Sequence, residues 1–391
     1  MLTESQTAII KATVPLLETG GEALTTHFYK VMLGEYPQVR PLFNQAHQAS
    51  GAQPRALANG VLLYAKNIDR LQELGPLAAQ IVNKHVALQV LPEHYPVVGA
   101  CLLRAIREVL GAEIATDEVI DAWAAAYQQL AGLLISAEAE VYGKLAAAPG
   151  GWRGARPFRV ARKVAESAEI TSFYLEPVDG GPVVDFAPGQ YLGLRLVIDG
   201  QEARRNYSLS AAANGRGYRI SVKREPGGMV SNFLHNHTHE GFVLDVFPPA
   251  GEFTLRDGTN PLVLISGGVG ITPTLAMAEA ALAEGKRDVI FMHYARNKHV
   301  HAFAKTMLEW AARYPRFRNI TVYEQNDDGA HAVGRPAIEH LQNHLPVGLD
   351  CDVYFLGPKP FMAAIKRFLA ALGLPDERRR YEFFGPAEAL D

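Results

Sequence analysis

Cysteine is nearly absent: Cys101 and Cys351 are the only two in 391 residues. They are far apart, fall in different expected domains and offer no disulfide framework, as expected of a chain in the reducing cytoplasm. An excess of one charge is lacking too. Lys and Arg number 38 against 41 Asp and Glu, a formal net charge of −3. That gives no electrostatic case for a nucleic-acid or anionic-membrane partner. No apolar run approaches the ~20 residues needed to span a bilayer, and no basic segment leads into an apolar stretch near the start. We therefore expect no integral membrane segment, no targeting segment and a monomer in the cytoplasm. What is present, 48% hydrophobic and 20% charged residues, suits a globular protein whose length calls for two or three domains.

Alternating β-branched runs are missing from the first 146 residues, where apolar positions recur at helical spacing. Thr3-x-x-Gln6 is a capping-box pattern ahead of Ile9, Ile10, Thr13 and Leu17, and Gly20-Gly21 is expected to end that helix. A second helix is expected over residues 22–33, ended by Tyr36-Pro37, with a short turn to Leu42-Phe43. After a polar loop, Pro54 is expected in the first turn of a helix running to about Leu74. The same proline biases Gln53 away from the α region and places it at the helix entrance. Gly75-Pro76, Pro92-Glu93 and Thr116-Asp117-Glu118 open three more helical stretches, the last running through Trp123, Tyr127 and Val141. Residues 80–91 read as helix throughout, with His85 beside Ile81 and Leu88. A neutral imidazole on an apolar helical face is a candidate haem-iron ligand; the plain alternative is a core or surface histidine.

This all-α region resembles the globin domain of bacterial flavohaemoglobins. The resemblance rests on Phe28-Tyr29, Pro41-Leu42-Phe43-Asn44, Gln53, Lys84-His85, Pro92-Glu93-His94-Tyr95 and Glu138-Ala139-Glu140. It implies haem b, with His85 as proximal ligand and Phe43 wedged against the porphyrin. It also implies Tyr29 and Gln53 on the distal side, and Phe28 and Lys84 in the pocket. Tyr95 and Glu138 are the implied partners of His85, and with Tyr29 the implied catalytic set. The chemistry suits these residue types. O₂ held on iron carries partial negative charge, which a phenol donor stabilises. A carboxylate partner makes the ligating imidazole more electron-donating, which favours O₂ activation over storage. Glu140 competes with Glu138 but points to another helix face.

Residues 1–147 are thus expected to form the first domain and 148–152, rich in small residues, a linker. From Trp152 the period switches to strand. Strands are expected at 158–164, 170–176, 191–198 and 218–223, with turn signals between them, as in a small antiparallel barrel over 153–258. Three pieces carry chemistry here: Pro188-Gly189-Gln190-Tyr191, Arg205-Asn206-Tyr207-Ser208, and Gly227-Gly228-Met229-Val230-Ser231. The last opens a helix whose free N–H groups suit a pyrophosphate. His235, His237 and His239 do not share a helix face, so solvated or capping roles are expected rather than a metal site.

Residues 259–391 read as an α/β domain with a parallel sheet. The strand 262–265 runs into Ser266-Gly267-Gly268-Val269-Gly270-Ile271-Thr272-Pro273, where glycines permit close approach of a phosphate to a helix N-terminus. Strands at 289–294, 320–324 and 353–356 alternate with helices. Tyr354-Phe355-Leu356-Gly357-Pro358 and Tyr381-Glu382-Phe383-Phe384-Gly385-Pro386 complete the motif set. Arg296, just past the 289–294 strand, is a candidate for a 2′-phosphate or a solvated side chain.

In this order the motifs resemble the ferredoxin–NADP⁺ reductase superfamily, and the whole chain resembles a flavohaemoglobin. The resemblance implies FAD held by Tyr191, Arg205 (on the diphosphate), Asn206, Tyr207 and Ser208 (at the isoalloxazine). Gly228, Met229, Val230 and Ser231 complete that site, and Phe384 is implied to stack on the flavin. NAD(P)H is implied at Gly267, Gly268, Val269, Gly270, Ile271, Thr272, Pro273, Gly357, Pro358, Phe383, Gly385 and Pro386. Leu356 stands where relatives often carry Cys, so a difference is expected in hydride-transfer rate. The implied activity is a nitric oxide dioxygenase, making nitrate from nitric oxide and O₂ with electrons passed from NAD(P)H to FAD to haem. Two other classes stay open. One is an O₂ or NO sensor or carrier kept ferrous by its reductase. The other is a ferric or lipid hydroperoxide reductase with lipid in the haem pocket.

Overall fold

A computed structural model describes residues 2–43, 51–325, 328–385 and 390. Asn44 and Pro386 of the motifs above lie outside the described residues. The chain forms two compact units. The first is built mainly from Met1–Ala147, the second mainly from Ala148–Ile198 and Asn206–Phe384.

The first unit is helical. In α1 (Glu4–Ala12) the capping box forms, with Thr3 N–H donating to Gln6 Oε1 at 2.9 Å and Gln6 N–H to Thr3 Oγ1 at 3.2 Å. The break then falls earlier than expected. Thr13 caps α1, and Pro15, in the first turn of α2 (Val14–Glu35), has no N–H to continue the first helix. Gly20-Gly21 does not end a helix; α2 runs through both. Glycine costs a helix about 1 kcal/mol relative to alanine, and packing offsets that here. Leu17, Gly21, Leu24 and Phe28 lie on the buried face of α2, and a Cβ on Gly21 would make only ordinary contact, 3.5 Å, with the Ala58 methyl of α3 (Ala52–Lys66).

Tyr36-Pro37 does break the chain, into the 3₁₀ turn Pro37–Leu42. Helix α3 starts at Ala52, two residues before Pro54, and stops at Lys66 rather than near Leu74. Gln53 is therefore inside the first turn. Proline is tolerated beside it because first-turn N–H groups have no helical acceptor. Helix α4 (Gly75–Leu88) ends three residues short of the expected Leu91. Leu91 precedes Pro92 and is extended (φ −116°, ψ 160°), so the helix closes with Gln89 in the left-handed region (φ 57°). Helices α5 (Tyr95–Leu110) and α6 (Asp117–Ala147) complete the unit. Phe28, Met32, Ile106 and Trp123 lie in its buried core.

After the helices come the antiparallel strands β1 (Arg156–Ala165), β2 (Ile170–Pro177), β3 (Tyr191–Ile198), β4 (Gln201–Ser208) and β5 (Tyr218–Lys223). Helix α7 (Met229–His237) and β6 (Val243–Val246) follow. The sheet order is β4-β3-β6-β1-β2-β5, and a bridge between Leu209 and Ile220 joins its two ends into a barrel. The expectation had missed β4 and β6: one is polar along most of its length, the other only four residues long.

The rest is a parallel sheet flanked by helices. It comprises β7 (Leu262–Gly267), α8 (Ile271–Glu284), β8 (Val289–Ala295), α9 (Ala304–Arg313), β9 (Phe317–Tyr323), β10 (Ala332–Val333) and α10 (Ile338–Gln342). Then come β11 (Asp352–Leu356), α11 (Lys359–Ala371) and β12 (Arg379–Tyr381). The order is β10-β9-β8-β7-β11-β12. The chain leaves β7 toward β8 on one side and returns at β11 on the other, so the switch point lies between β7 and β11, where such sheets bind ligands. The short edge strands β10 and β12 were not expected. Both cysteines are buried and unbonded. Among the described residues no single helix is long and apolar enough to cross a membrane.

Candidate active site

His85 sits in the last turn of α4, where the helix dipole favours a basic side chain. Its Nδ1 lies 2.7 Å from Glu138 Oε1 on α6 and 3.2 Å from the Tyr95 hydroxyl on α5. The Tyr95 hydroxyl donates to the same Oε1 at 2.6 Å. Glu138 is only 2% exposed, and a buried carboxylate is tolerable only with donors around it. The phenol and the imidazole N–H are those donors. With the proton on Nδ1, the lone pair is on Nε2, the nitrogen that can ligate iron. This donor set fits a haem. Burial first, then the hydrogen bond and charge of Glu138, push the Tyr95 hydroxyl well above its usual range, so it stays a donor.

The support continues outward. Tyr127 donates to the Tyr95 carbonyl at 2.6 Å, and Tyr142 to the Val90 carbonyl at 2.9 Å. Gly99 makes room for Tyr127, whose ring would stand 2.6 Å from any Cβ added there. Sequence reasoning singled out neither tyrosine for this role; helical spacing signals only that they face inward. Glu140 is exposed and paired with Lys144, so Glu138 is the carboxylate that meets His85. Lys84, one residue before His85, is half-buried.

Tyr29 is buried against two rings, Phe28 at 4.9 Å and Phe43 at 5.6 Å, both edge-on. Its hydroxyl is hydrogen-bonded to the Gln53 side chain. Burial raises its pKa and outweighs that bond, so it is a neutral donor. Gln53 thus reaches Tyr29 despite Pro54.

In the barrel, Pro-Gly-Gln-Tyr and Arg-x-Tyr-Ser come together: Leu209 N–H, just past Ser208, donates to the Gln190 carbonyl at 2.9 Å. Gly189 has φ 110°, and a Cβ there would overlap the Phe253 carbonyl. Tyr191 is buried, and its pKa is raised by burial and then by Glu382 and Glu252. The C-terminal Tyr-Glu-Phe-Phe motif is therefore near Tyr191. On β4, alternation sets Arg205 and Tyr207 on one face, Asn206 and Ser208 on the other; Ser208 is buried and Asn206 exposed. Gly228 caps α7, and the first helical bond runs from Asn232 N–H to its carbonyl at 3.1 Å. The N–H groups of Met229, Val230 and Ser231 precede that bond and suit an anion. The Ser231 hydroxyl accepts from Glu225 N–H at 3.2 Å, bracing the turn. Phe384 is 47% exposed, whereas Phe383 packs on Tyr381 at 5.9 Å. His235 is neither solvated nor a cap: its Nε2 lies 2.8 Å from the Val222 carbonyl. Among the described residues no group of three side chains could hold a metal ion.

At the switch point, Gly267 ends β7 and Gly357 follows β11. A Cβ on Gly357 would lie 3.2 Å from the Gly267 Cα and 2.7 Å from the Phe361 ring. Gly268 has φ 55°, and a Cβ on Gly270 would overlap the Leu356 carbonyl. Val269 is half-buried, and Ile271, Thr272 and Pro273 are buried in the first turn of α8. Pro358 and Lys359 are exposed beside this cradle. The backbone arrangement fits a dinucleotide's phosphates. Sequence reasoning missed Phe361, and also a buried pair, His293 and His301, with rings 4.6 Å apart. A histidine inside the apolar strand Val289–Ala295 was the available signal.

A helical unit with a carboxylate-oriented imidazole, joined to a barrel and a parallel sheet with a glycine cradle, defines a haem-containing flavin oxidoreductase using NAD(P)H. Family models agree: Globin matches residues 26–134, the oxidoreductase FAD-binding domain 157–255 and the oxidoreductase NAD-binding domain 264–367. The flavohemoprotein of Pseudomonas aeruginosa is 66% identical, with both chains covered in full. A flavohemoglobin from Malassezia yamatoensis, solved with bound FAD and heme, superposes with a TM-score of 0.87 at 26% identity, over 98% of this chain and 100% of that one. The FAD/NAD-binding domain of a nitric oxide dioxygenase from Vibrio cholerae is 38% identical (TM-score 0.57) over 60% of this chain and all of its own. The chain belongs to the flavohemoprotein family, and its cofactors are haem, FAD and NAD(P)H.

Proposed function

We propose that the protein is a nitric oxide dioxygenase that removes nitric oxide as nitrate. The observation that carries this reading is the His85–Glu138–Tyr95 triangle. A buried carboxylate on the ligating imidazole favours activation of O₂ over its storage. When bound, FAD would divide the two electrons of a hydride into single steps, and haem would supply the iron needed for O₂ chemistry.

The chain's own residues do the rest. His85 would hold the iron through Nε2, while Glu138 holds the proton at Nδ1 and Tyr95 keeps Glu138 satisfied. Tyr29 donates a hydrogen bond toward O₂, with Gln53 orienting its hydroxyl and Phe28 and Phe43 excluding water. Tyr191, Arg205, Tyr207, Ser208 and the first turn of α7 bind FAD. The Gly267–Gly270 and Gly357–Pro358 turns bind the nicotinamide nucleotide. Likeness to the FAD/NAD-binding domain of the V. cholerae nitric oxide dioxygenase supports this reading.

The test is nitrate yield with O₂ and nitric oxide both supplied. Each nitric oxide converted with O₂ to nitrate takes one electron, so each NAD(P)H, giving two, should yield two nitrates. A ratio near zero would favour a sensor or carrier, and turnover restored by a lipid hydroperoxide would favour a peroxide reductase.

A further inference from the structure

In an α/β nucleotide-binding unit, the residue ending the second strand reads the adenosine ribose: a carboxylate suits a free 2′-hydroxyl, an arginine a 2′-phosphate. Here β7 and the glycine turn lead to α8 and then β8, whose end runs Ala295-Arg296-Asn297-Lys298. It has two cations and no acid, so by sequence it reads as a phosphate site.

The structure changes that. The Arg296 guanidinium is hydrogen-bonded to the Glu169 carboxylate. Glu169 comes from the turn between β1 and β2, far away in sequence, and that turn is firmly built. Glu166 and Ser167 N–H both donate to the Ile170 carbonyl, at 2.9 and 3.2 Å, and Arg224 N–H donates to the Glu169 carbonyl at 2.7 Å. Ala168 N–H donates to the His299 carbonyl at 2.9 Å, tying the turn to the segment after β8. The second cation also faces an acid, with Lys298 Nζ 3.9 Å from Asp328. Asn297, between them, donates to Gln325 Oε1 at 2.8 Å.

We propose that Glu169 sets coenzyme choice: by engaging Arg296 it withdraws the receptor for a 2′-phosphate and repels that group, so the chain favours NADH. A free 2′-hydroxyl meets neither obstacle. Arg296 and Glu169 are 56% and 32% exposed at their side chains, so the pair is screened and the preference is a matter of degree.

The proposal rests on nucleotide binding at the glycine turn and is tested apart from turnover. ADP and 2′,5′-ADP are titrated calorimetrically into the haem- and FAD-loaded protein, and flavin reduction by NADH and NADPH is followed by stopped flow. The wild type should bind ADP at least as tightly as 2′,5′-ADP. Glu169→Gln, which keeps the turn's backbone bonds, should shift the ratio toward 2′,5′-ADP and NADPH by about fivefold, the upper range for an exposed ion pair. Adding Arg296→Ala should abolish that gain. A wild type preferring 2′,5′-ADP, a Glu169→Gln ratio that does not move, or a gain that survives without Arg296 would each overturn the proposal. Failure of ADP and NADH alike to bind would instead reject nucleotide binding at the turn itself.

Discussion

The helical unit and the sheet unit build their sites from opposite materials. In the first, function lies in side chains. His85, Tyr95 and Glu138 come from three helices and meet at single atoms, and Tyr29 places one hydroxyl among rings. In the second, much of the site is made by leaving side chains out. Gly189 and Gly270 sit where a Cβ would overlap a carbonyl, and a Cβ on Gly357 would press on the Gly267 backbone. A metal ligand needs one atom with the right lone pair, whereas a phosphate needs a surface of N–H groups that nothing obstructs. The two units should therefore fail differently: one when a side chain is removed, the other when one is added.

The largest effect tests the first half. His85→Ala should abolish the Soret band while the flavin bands persist, since it removes the imidazole that Glu138 and Tyr95 orient. A retained haem band would sink the ligand assignment. Next comes the converse. Gly270→Ala adds one methyl against the Leu356 carbonyl and should slow flavin reduction by NADH at least ~100-fold, as misplacement of ~1 Å commonly does. The Soret band should be untouched; unaltered flavin reduction would show that the cradle is not where the nucleotide sits.

Acid should separate the units as well. His293 and His301 are buried in the sheet unit, each with Nδ1 hydrogen-bonded, to Ser266 at 2.8 Å and Tyr323 at 2.9 Å. Burial holds both neutral, lowering His301 to about 4 and His293 well below its usual value. Unfolded, a histidine titrates near 6.5. Below that pH the unfolded chain takes up protons that the folded one refuses. The stability is thus complete above pH 6.5 and falls as the pH drops toward 4, by about 3 kcal/mol for His301. Flavin release followed by fluorescence should track this window, and His301→Gln should flatten it. An unchanged acid profile in that variant would remove the histidine from the explanation.

How much was legible in sequence follows the same division. The glycine turns were readable because glycine is itself the signal, and the order of the motifs fixed three kinds of domain. His85 stood out on an apolar helical face, but its pairing with Glu138 was readable only through the family resemblance, since helical spacing does not bring the two together. Helix ends were misread where packing overrode propensity: Gly20-Gly21 looked like a stop, yet α2 runs through both with Gly21 on its buried face. Strand β4 was missed because its polar residues show no clean alternation. Arg296 could not be settled because its partner, Glu169, lies 127 positions away.

Within the helical unit the side chains should also rank among themselves. Glu138→Gln keeps an acceptor for the Nδ1 proton but removes the charge. It should cost about 10–100-fold in turnover, as loss of a ligand's orienting partner does, and raise the haem reduction potential. Unchanged potential would mean that the carboxylate serves the fold alone.

Tyr29→Phe is the mildest change. It removes one hydroxyl and leaves the ring packed on Phe28 and Phe43. A hydrogen bond to a partly charged acceptor contributes about 1.5 kcal/mol, so O₂ should dissociate about ten times faster. Gln53 would lose its partner yet sits in the first turn of α3, where its amide can turn toward the ligand and recover part of the loss. The double variant Tyr29→Phe with Gln53→Leu should then exceed the single one, and flash photolysis reads both. If the two variants release O₂ equally fast, Gln53 acts only through Tyr29; if neither differs from wild type, the hydroxyl does not face O₂.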